Sequence, residues 1–141
     1  LPTEYEEPTM DENKRRGMST NFGIWWDGDL LRELLDHETV QKYDWKTGRV
    51  NVIKRFDGRF NNGTKSNPCL SGDILGDWRE EVLVRDAQST MLKLYTTDIP
   101  TDHRITCLMQ DVPYRLGIAT ENVAYNQPPE PGFYLGVGMK K

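Results

Sequence analysis

The sequence predicts an antiparallel all-β fold, and three observations carry that prediction. Short apolar segments rich in β-branched and aromatic residues recur at intervals of about ten residues, each bounded by turn formers. Twelve glycines and eight prolines in 141 residues supply those turns. Met91, Lys93 and Tyr95 alternate against Leu92 and Leu94, which is the period of a strand. From the residues alone the architecture is a sandwich, a barrel or a propeller.

Taken in order, residues 1–20 carry acids, then bases, with Pro2 and Pro8 and almost no apolar periodicity, so they are read as a connector or exposed arm. A chain that begins at Leu1 is expected to be processed or cut from something longer. Asn21–Trp26 reads as a strand, and Asp27-Gly28 after it is a hairpin signal. Leu30, Leu31, Leu34 and Leu35 have helical spacing, in conflict with that hairpin. Val40–Tyr43 and Arg49–Phe56 form a second hairpin around Lys46-Thr47-Gly48. Glu80–Arg85 and Met91–Thr97 are strands joined across 86–90, and Ile105–Met109 and Tyr114–Thr120 are further apolar segments separated by Asp111-Val112-Pro113. The stretch Gly132–Gly138, GFYLGVG, is expected to form a last short strand.

Composition excludes some functions. Hydrophobic residues make up 36% and charged residues 28%, enough to bury a core, and the net charge of -4 argues against a general polyanion binder such as a nucleic-acid protein. Cys69 and Cys107 are too few for a disulfide scaffold and lack metal-ligand spacing, so buried free thiols are expected. No apolar run approaches the roughly 18 residues needed to span a bilayer, and no signal-peptide pattern is read, so no membrane association is expected.

Two loops concentrate polar chemistry. In GDILGDWREEVLV, Asp73, Asp77 and Glu81 recur at every fourth position, and carboxylates at loop positions one, five and nine suit a hard cation such as calcium. The usual third and sixth positions hold Leu75 and Trp78, so Leu75 would offer a backbone carbonyl. The same acids read equally well as caps for backbone amides with Arg79 as an ion partner. The second loop, DGRFNNGTKSNP, carries Arg59, Asn61, Asn62, Thr64 and Lys65, and Asn62-Gly63 favours a turn with positive φ that presents Thr64 and Lys65 outward. A solvated surface turn is the plainer reading of this loop. Asn62-Gly63-Thr64 also fits an N-glycosylation acceptor. His37 and His103 lack neighbouring ligand sets, and no nucleophile elbow, phosphate loop or zinc spacing is present.

Taken together, the blocks NFGIWWDGDLLRELLD, FNNGTKSNP, SGDILGDWREEVLVR, LYTTDIPTDHRITCLMQDVPYRLGIATENVAYNQPP and GFYLG resemble the C-terminal part of bacterial rhamnogalacturonan lyases of polysaccharide lyase family 11. The resemblance implies an eight-bladed β-propeller several times longer than this chain, with residues 21–141 forming its last two to three blades. It implies a strand at Leu30–Asp36, calcium as cofactor, and Asp73, Leu75, Asp77 and Glu81 as metal ligands. It implies cleavage of the rhamnogalacturonan I backbone of pectin by β-elimination, in a protein secreted or periplasmic in a bacterium. Asn62, Gly63, Thr64 and Lys65 match the family's cleft loop and Tyr125 matches a cleft tyrosine, so Lys65 and Tyr125 are the expected catalytic pair. Arg59 is a further substrate contact. A lone stack of blades would expose strand edges and apolar faces, so partners are expected: the remaining blades, copies of the chain, or a companion chain. A noncatalytic carbohydrate-binding or structural module is the competing reading.

Overall fold

The computed structural model of the chain describes residues 19–63, 65–123 and 126–140. Residues 1–18 of the expected arm, and the candidate positions Thr64 and Tyr125, lie outside the described residues.

The fold is mostly β, in two antiparallel sheets with one short α-helix. The first sheet runs in chain order through β1 (Gly23–Ile24), β2 (Glu33–Asp36), β3 (Thr39–Asp44) and β4 (Arg49–Arg55). The second follows in chain order: β5 (Leu70–Gly72), β6 (Glu81–Arg85) and β7 (Leu92–Tyr95). Strands that follow one another and pair with their neighbours need only short turns, which is what the Gly- and Asp-rich intervals supply. At the β3–β4 turn, Asp44 accepts bonds from the Lys46 amide at 2.9 Å and the Thr47 hydroxyl at 2.8 Å, and Gly48 takes a φ of 69°.

Period-two alternation splits the aromatic run between two cores. Phe22, Ile24 and Trp26 join Leu35, Val40, Phe56, Phe60, Val82 and Val84, so the first core is shared by both sheets. Trp25 points the other way and joins Trp78, Leu108, Tyr114 and Leu135. Within the first core Trp26 meets Phe56 edge-on at 5.6 Å, an aromatic geometry that adds about 0.5–1.5 kcal/mol to simple burial. Strand β6 is apolar on one face through Val82 and Val84, and strand β7 leaves Leu92 and Leu94 exposed.

Four sequence readings are corrected or completed. Asp27-Gly28 does not close a tight hairpin: β1 and β2 pair Ile24 with Glu33, and residues 25–32 form the connection. In it Asp27 accepts from the Asp29 amide and Asp29 from the Leu31 amide, two successive side-chain turns that extend the loop. The expected strand at Leu30–Asp36 therefore begins only at Glu33. Tyr114–Thr120 lies in an α-helix, α1 (Val112–Thr120), preceded by a 3-10 turn at Leu108–Gln110. Asp111 caps α1 by accepting from the Tyr114 amide at 3.0 Å, with Pro113 in the first turn. The GFYLGVG stretch forms no strand; Leu135 anchors it in the second core while Tyr134 stays exposed and donates to the Val137 carbonyl.

Helix α1 lies against β5 because Gly72 has no side chain. A Cβ there would meet Ile118 Cδ1 at 2.2 Å. Among the described residues both cysteines are free thiols, half-buried and not buried as expected, and no helix is long and apolar enough to cross a membrane.

Candidate functional site

The loop between β4 and β5 is built on a pairing of its own. Asn61 and Asn67 bridge through both backbone bonds, Asn61 N to Asn67 O at 2.6 Å and Asn67 N to Asn61 O at 3.0 Å, so the described residues between them, Asn62, Gly63, Lys65 and Ser66, belong to a closed finger. At its tip Asn62 has φ 60° and Gly63 φ 45°, the left-handed turn that this dipeptide favours. Lys65 N bonds Asn62 O at 3.0 Å and completes the reversal. Asn62, Gly63 and Lys65 are exposed, as a ligand-contacting tip requires.

Asn67 is 1% exposed and joins this finger to a segment about sixty residues away. Its Oδ1 accepts from Asn62 Nδ2 and from Asn126 Nδ2, each at 3.4 Å, and its Nδ2 donates to the Asn126 carbonyl at 3.3 Å. Asn122 Nδ2 donates to the Cys69 carbonyl, just past the other end of the finger. Asn126 is thus stapled to the finger, and Asn122 to Cys69 just past it. Buried carboxamides suit this task because one group both donates and accepts. The foot of the finger is held as well: Arg85 Nε donates to Asn61 Oδ1 at 3.2 Å, and Ser66 Oγ lies 3.1 Å from His37 Nδ1. Asn67, Asn126, Arg85 and His37 were not among the expected site residues. A local sequence pattern carries no sign of a contact between positions 67 and 126.

Arg59 is exposed and sits where the chain leaves the first core, its amide bonded to the Arg85 carbonyl at 2.8 Å. Its neighbours Phe56 and Phe60 stack in the core with centroids 6.3 Å apart.

The acidic loop is organised differently. Asp73 is fully buried, and its Oδ2 accepts from the Leu108 amide at 2.7 Å. Glu81 Oε2 accepts from the Ile74 and Leu75 amides, each at 2.9 Å, and its Oε1 from the Thr96 hydroxyl at 3.1 Å. Burial raises the Glu81 carboxyl above its ordinary value, against those amide bonds, which lower it. Asp77 pairs with Arg79 at 2.6 Å. These acids therefore cap amides and pair with Arg79, the second of the two readings the residues allowed, and they do not bring three carboxylates together. Among the described residues the trio that does converge is Asp27, Asp29 and Glu33, with one oxygen of each within 4.8 Å of the others. Lys42 Nζ lies 2.9, 2.8 and 2.5 Å from them. Burial works to lower the Lys42 ammonium, but bonds to Asp29, Glu33 and Asp27 hold it well above its ordinary value, so it stays a cation.

A deeper set of acids ties the two sheets and α1 into one frame. Glu80 accepts from the Trp25 amide at 2.8 Å and the Tyr114 hydroxyl at 2.7 Å, with Arg32 at 3.7 Å. Burial pushes its carboxyl up to about 7, while Arg32, Tyr114 and the Trp25 amide pull it down. Glu121, at the end of α1, accepts from the Ser71 amide and hydroxyl, each at 2.8 Å, and burial raises it to about 8.

Residues 6–141, which include the finger, the acidic loop and α1, match the family profile "Rhamnogalacturonan lyase family 11, C-terminal domain". The chain belongs to rhamnogalacturonan lyase family 11. Within this lyase family it is 57% identical over 122 residues to rhamnogalacturonan endolyase YesW of Bacillus subtilis (strain 168), covering 86% of this chain and 20% of that protein. It is 52% identical over 132 residues to rhamnogalacturonan exolyase YesX of the same organism, covering 87% of this chain and 22% of that protein. The solved structure of YesW superposes with a TM-score of 0.85 at 55% identity, over 89% of this chain and 22% of that one. That of a Bacillus licheniformis rhamnogalacturonan lyase superposes with a TM-score of 0.84 at 57% identity, over 86% of this chain and 21% of that one. The chain therefore spans about one fifth of the length of the family members it matches.

Proposed function

We propose that this chain is the C-terminal part of a lyase that cleaves the rhamnogalacturonan I backbone of pectin by β-elimination at galacturonosyl residues. The observation that carries the reading is the Asn67 staple, which joins the exposed Asn62-Gly63-Lys65 tip to the segment flanking position 125. In this reading the two antiparallel sheets are blades of a β-propeller, and the rest of the parent chain covers the edges that β4 and β7 leave open. A polymeric substrate supports a location outside the bacterial cytoplasm, secreted or periplasmic.

The chemistry is a proton removal followed by loss of a leaving group. A base takes the C5 proton of the galacturonosyl ring, its electron pair forms the C4–C5 double bond, and the C4–O bond breaks toward the rhamnosyl oxygen, which takes up a proton. Lys65 and Tyr125 are the proposed pair for these two transfers, contributing roughly 10²–10⁴-fold each as general acid–base groups do. Lys65 is exposed here, so the exclusion of water that would favour a neutral amine, the form that can take a proton, comes from substrate or from the rest of the cleft. Asn62, Gly63 and Thr64 bind the sugar, and Arg59 contacts a substrate carboxylate. Negative charge building on the carboxylate beside C5 must be neutralised in the transition state.

Calcium would supply such positive charge, or would fasten a loop. The Asp73, Leu75, Asp77 and Glu81 set fits it poorly, because Arg79 and backbone amides already engage Asp77 and Glu81, and no step is routed through it. The near-equal likeness to an endolyase and an exolyase indicates that this segment carries what the two modes of cleavage share.

The test is the ultraviolet absorbance of unsaturated uronide when the protein, in its as-isolated assembly, meets rhamnogalacturonan I. Lys65→Ala should lower turnover by at least about 100-fold with little change in affinity. Loss of affinity alone, with no product from the parent protein, would favour a noncatalytic carbohydrate-binding module.

A further inference from the structure

A cavity of about 220 Å³ opens between the end of β4 and the start of the finger, apart from the Asn62-Gly63 tip. Arg55, Asp57, Gly58 and Arg59 line it along one stretch of chain, and Glu38 closes it from the β2–β3 turn. We propose that this cavity is a uronate subsite, in which Arg55 and Arg59 take the carboxylate of the galacturonosyl ring that lies one rhamnosyl unit away from the one being cleaved. The inference rests on the lyase reading for the identity of the sugar and names which carboxylate Arg59 holds.

The charges at the cavity are unusual for a protein surface. Arg55 and Arg59 are both exposed, and neither guanidinium has a hydrogen-bond or ion-pair partner among the described residues. Surface arginines four residues apart with a carboxylate close by ordinarily pair with it. Asp57 is instead engaged by Lys93 at 2.5 Å, so it does not neutralise the arginines. Two arginines that line one cavity suit a carboxylate, which guanidiniums bind through paired N–H donors.

The remaining wall selects the kind of anion. Glu38 offers acceptor oxygens at the same rim, and its backbone is fixed by the Phe56 amide bonding its carbonyl at 2.7 Å. A compact dianion such as phosphate would meet this carboxylate unfavourably. A sugar acid presents one negative group to the arginines and hydroxyl donors to Glu38. The volume falls below the roughly 300–1,000 Å³ of pockets for drug-sized ligands and matches a single pyranose ring.

Placement links the cavity to the cleft loop. Arg59 precedes Asn62 by three residues, at most about 10 Å of extended chain, which is the reach of a short oligosaccharide. The backbone of Arg59 pairs with that of Arg85, and the Arg85 side chain holds Asn61 at the foot of the finger. Cavity and finger are therefore fixed to one strand end and cannot drift apart. A polymer with galacturonate at alternate positions could lie across both.

The experiment is titration of the full chain, in its as-isolated assembly, with three probes followed by calorimetry and by the arginine side-chain resonances. The probes are a rhamnogalacturonan I oligosaccharide, the same oligosaccharide with its carboxyls reduced to alcohols, and inorganic phosphate. The acidic oligosaccharide should bind and shift the Arg55 and Arg59 signals, and Arg55→Gln should weaken it about tenfold, as expected for loss of a charge-assisted bond. The reduced oligosaccharide should leave those signals unmoved, and phosphate should not compete. Equal affinity in Arg55→Gln and parent, or equal binding of the reduced sugar, overturns the subsite; competition by phosphate makes it a general anion site and overturns the uronate assignment. The two readings fail separately. Product formation that depends on Lys65 with no effect of Arg55→Gln sinks the subsite alone, and Arg55-dependent binding without product sinks the lyase alone.

Discussion

The frame beneath the second core and the finger at the candidate site both bury polar side chains, and they use opposite chemistry to do it. In the frame, Glu80 and Glu121 gather backbone amides and hydroxyls, as acceptors only. In the finger, Asn67 links Asn62 and Asn126 through a neutral group that donates and accepts at once. A carboxylate can hold several N–H groups tightly, but burial makes its charge costly and its proton affinity high. A carboxamide holds less tightly and carries no titration. The scaffold is thereby strong and pH-sensitive, while the Asn67 staple of the candidate site is weaker and carries no titrating group.

The largest expected effect comes from breaking the frame. Glu80→Ala removes the acceptor of the Trp25 amide and the Tyr114 hydroxyl together, leaving two buried donors unmatched, while Arg32 loses one carboxylate and keeps Glu130. Each buried donor left without a partner costs about 1–3 kcal/mol, so the two together should exceed any other loss here. Urea unfolding should register it, and a loss below about 1 kcal/mol would mean that the cluster is wet and compensated by solvent.

Asn67→Ala should come next in stability and first in function. Removing the carboxamide leaves Asn62 and Asn126 without their shared partner, a cost of about 1–3 kcal/mol. Because it also frees the finger from the segment flanking position 125, product formation should fall further than stability accounts for. Unchanged kcat in a folded variant would show that the two segments need no staple. Asn67→Asp sharpens the comparison by putting the frame's chemistry into the finger: it keeps Asn62 and Asn126 as donors but loses the bond to the Asn126 carbonyl, and should make the site pH-dependent.

Much of the sheet pattern was legible because it is local. The turn at Lys46-Thr47-Gly48, the alternation of β6 and β7, and the left-handed Asn62-Gly63 tip follow from residues within a few positions of one another. The Asp27 loop was misread because Asp-Gly fits a tight hairpin, whereas successive aspartate turns with Lys42 gathering Asp27, Asp29 and Glu33 favour a longer excursion. The helix at Val112–Thr120 did announce itself, since Asp111 followed by Pro113 is a capping signal, but an all-β frame made it read as a separator. Of the candidate site, the exposed tip could be read and its support could not. Asn67, Arg85 and His37 act through partners 24 to 59 residues away, and such contacts leave no period in the sequence.

The pH dependence gives the next and smaller contrast. Burial raises Glu121 to about 8 from an ordinary glutamate value near 4.5, so the folded state binds a proton that the unfolded state releases earlier. That contribution to stability is fully present below about pH 4.5 and is lost as pH rises through about 8. Glu80, raised to about 7, adds a slope of the same sign. Glu121→Gln keeps an acceptor for Ser71 without the titration, so the fall in stability between pH 5 and 8.5 should flatten in part. At pH 8.5 the variant should be more stable than the parent by about 1 kcal/mol or more, as expected for a shift of at least one unit. Asn67→Ala should leave this slope untouched, because no group at the finger's staple titrates; an equal slope change in both variants would erase the distinction between frame and finger.

The smallest effect should come from an ion pair that belongs to neither region. Lys93 meets Asp57 at 2.5 Å, but the Asp57 side chain is 89% exposed and solvent screens the pair. Lys93→Ala should leave the urea midpoint unchanged within error. It should still matter to the cavity beside Arg55 and Arg59, because Asp57, released from lysine, is free to turn toward those arginines and compete with a sugar carboxylate. Weaker binding of the acidic oligosaccharide with unaltered stability is the expected pair of results. Loss of stability instead would place Lys93 in the frame, and would extend the charged scaffold to the edge of the second sheet.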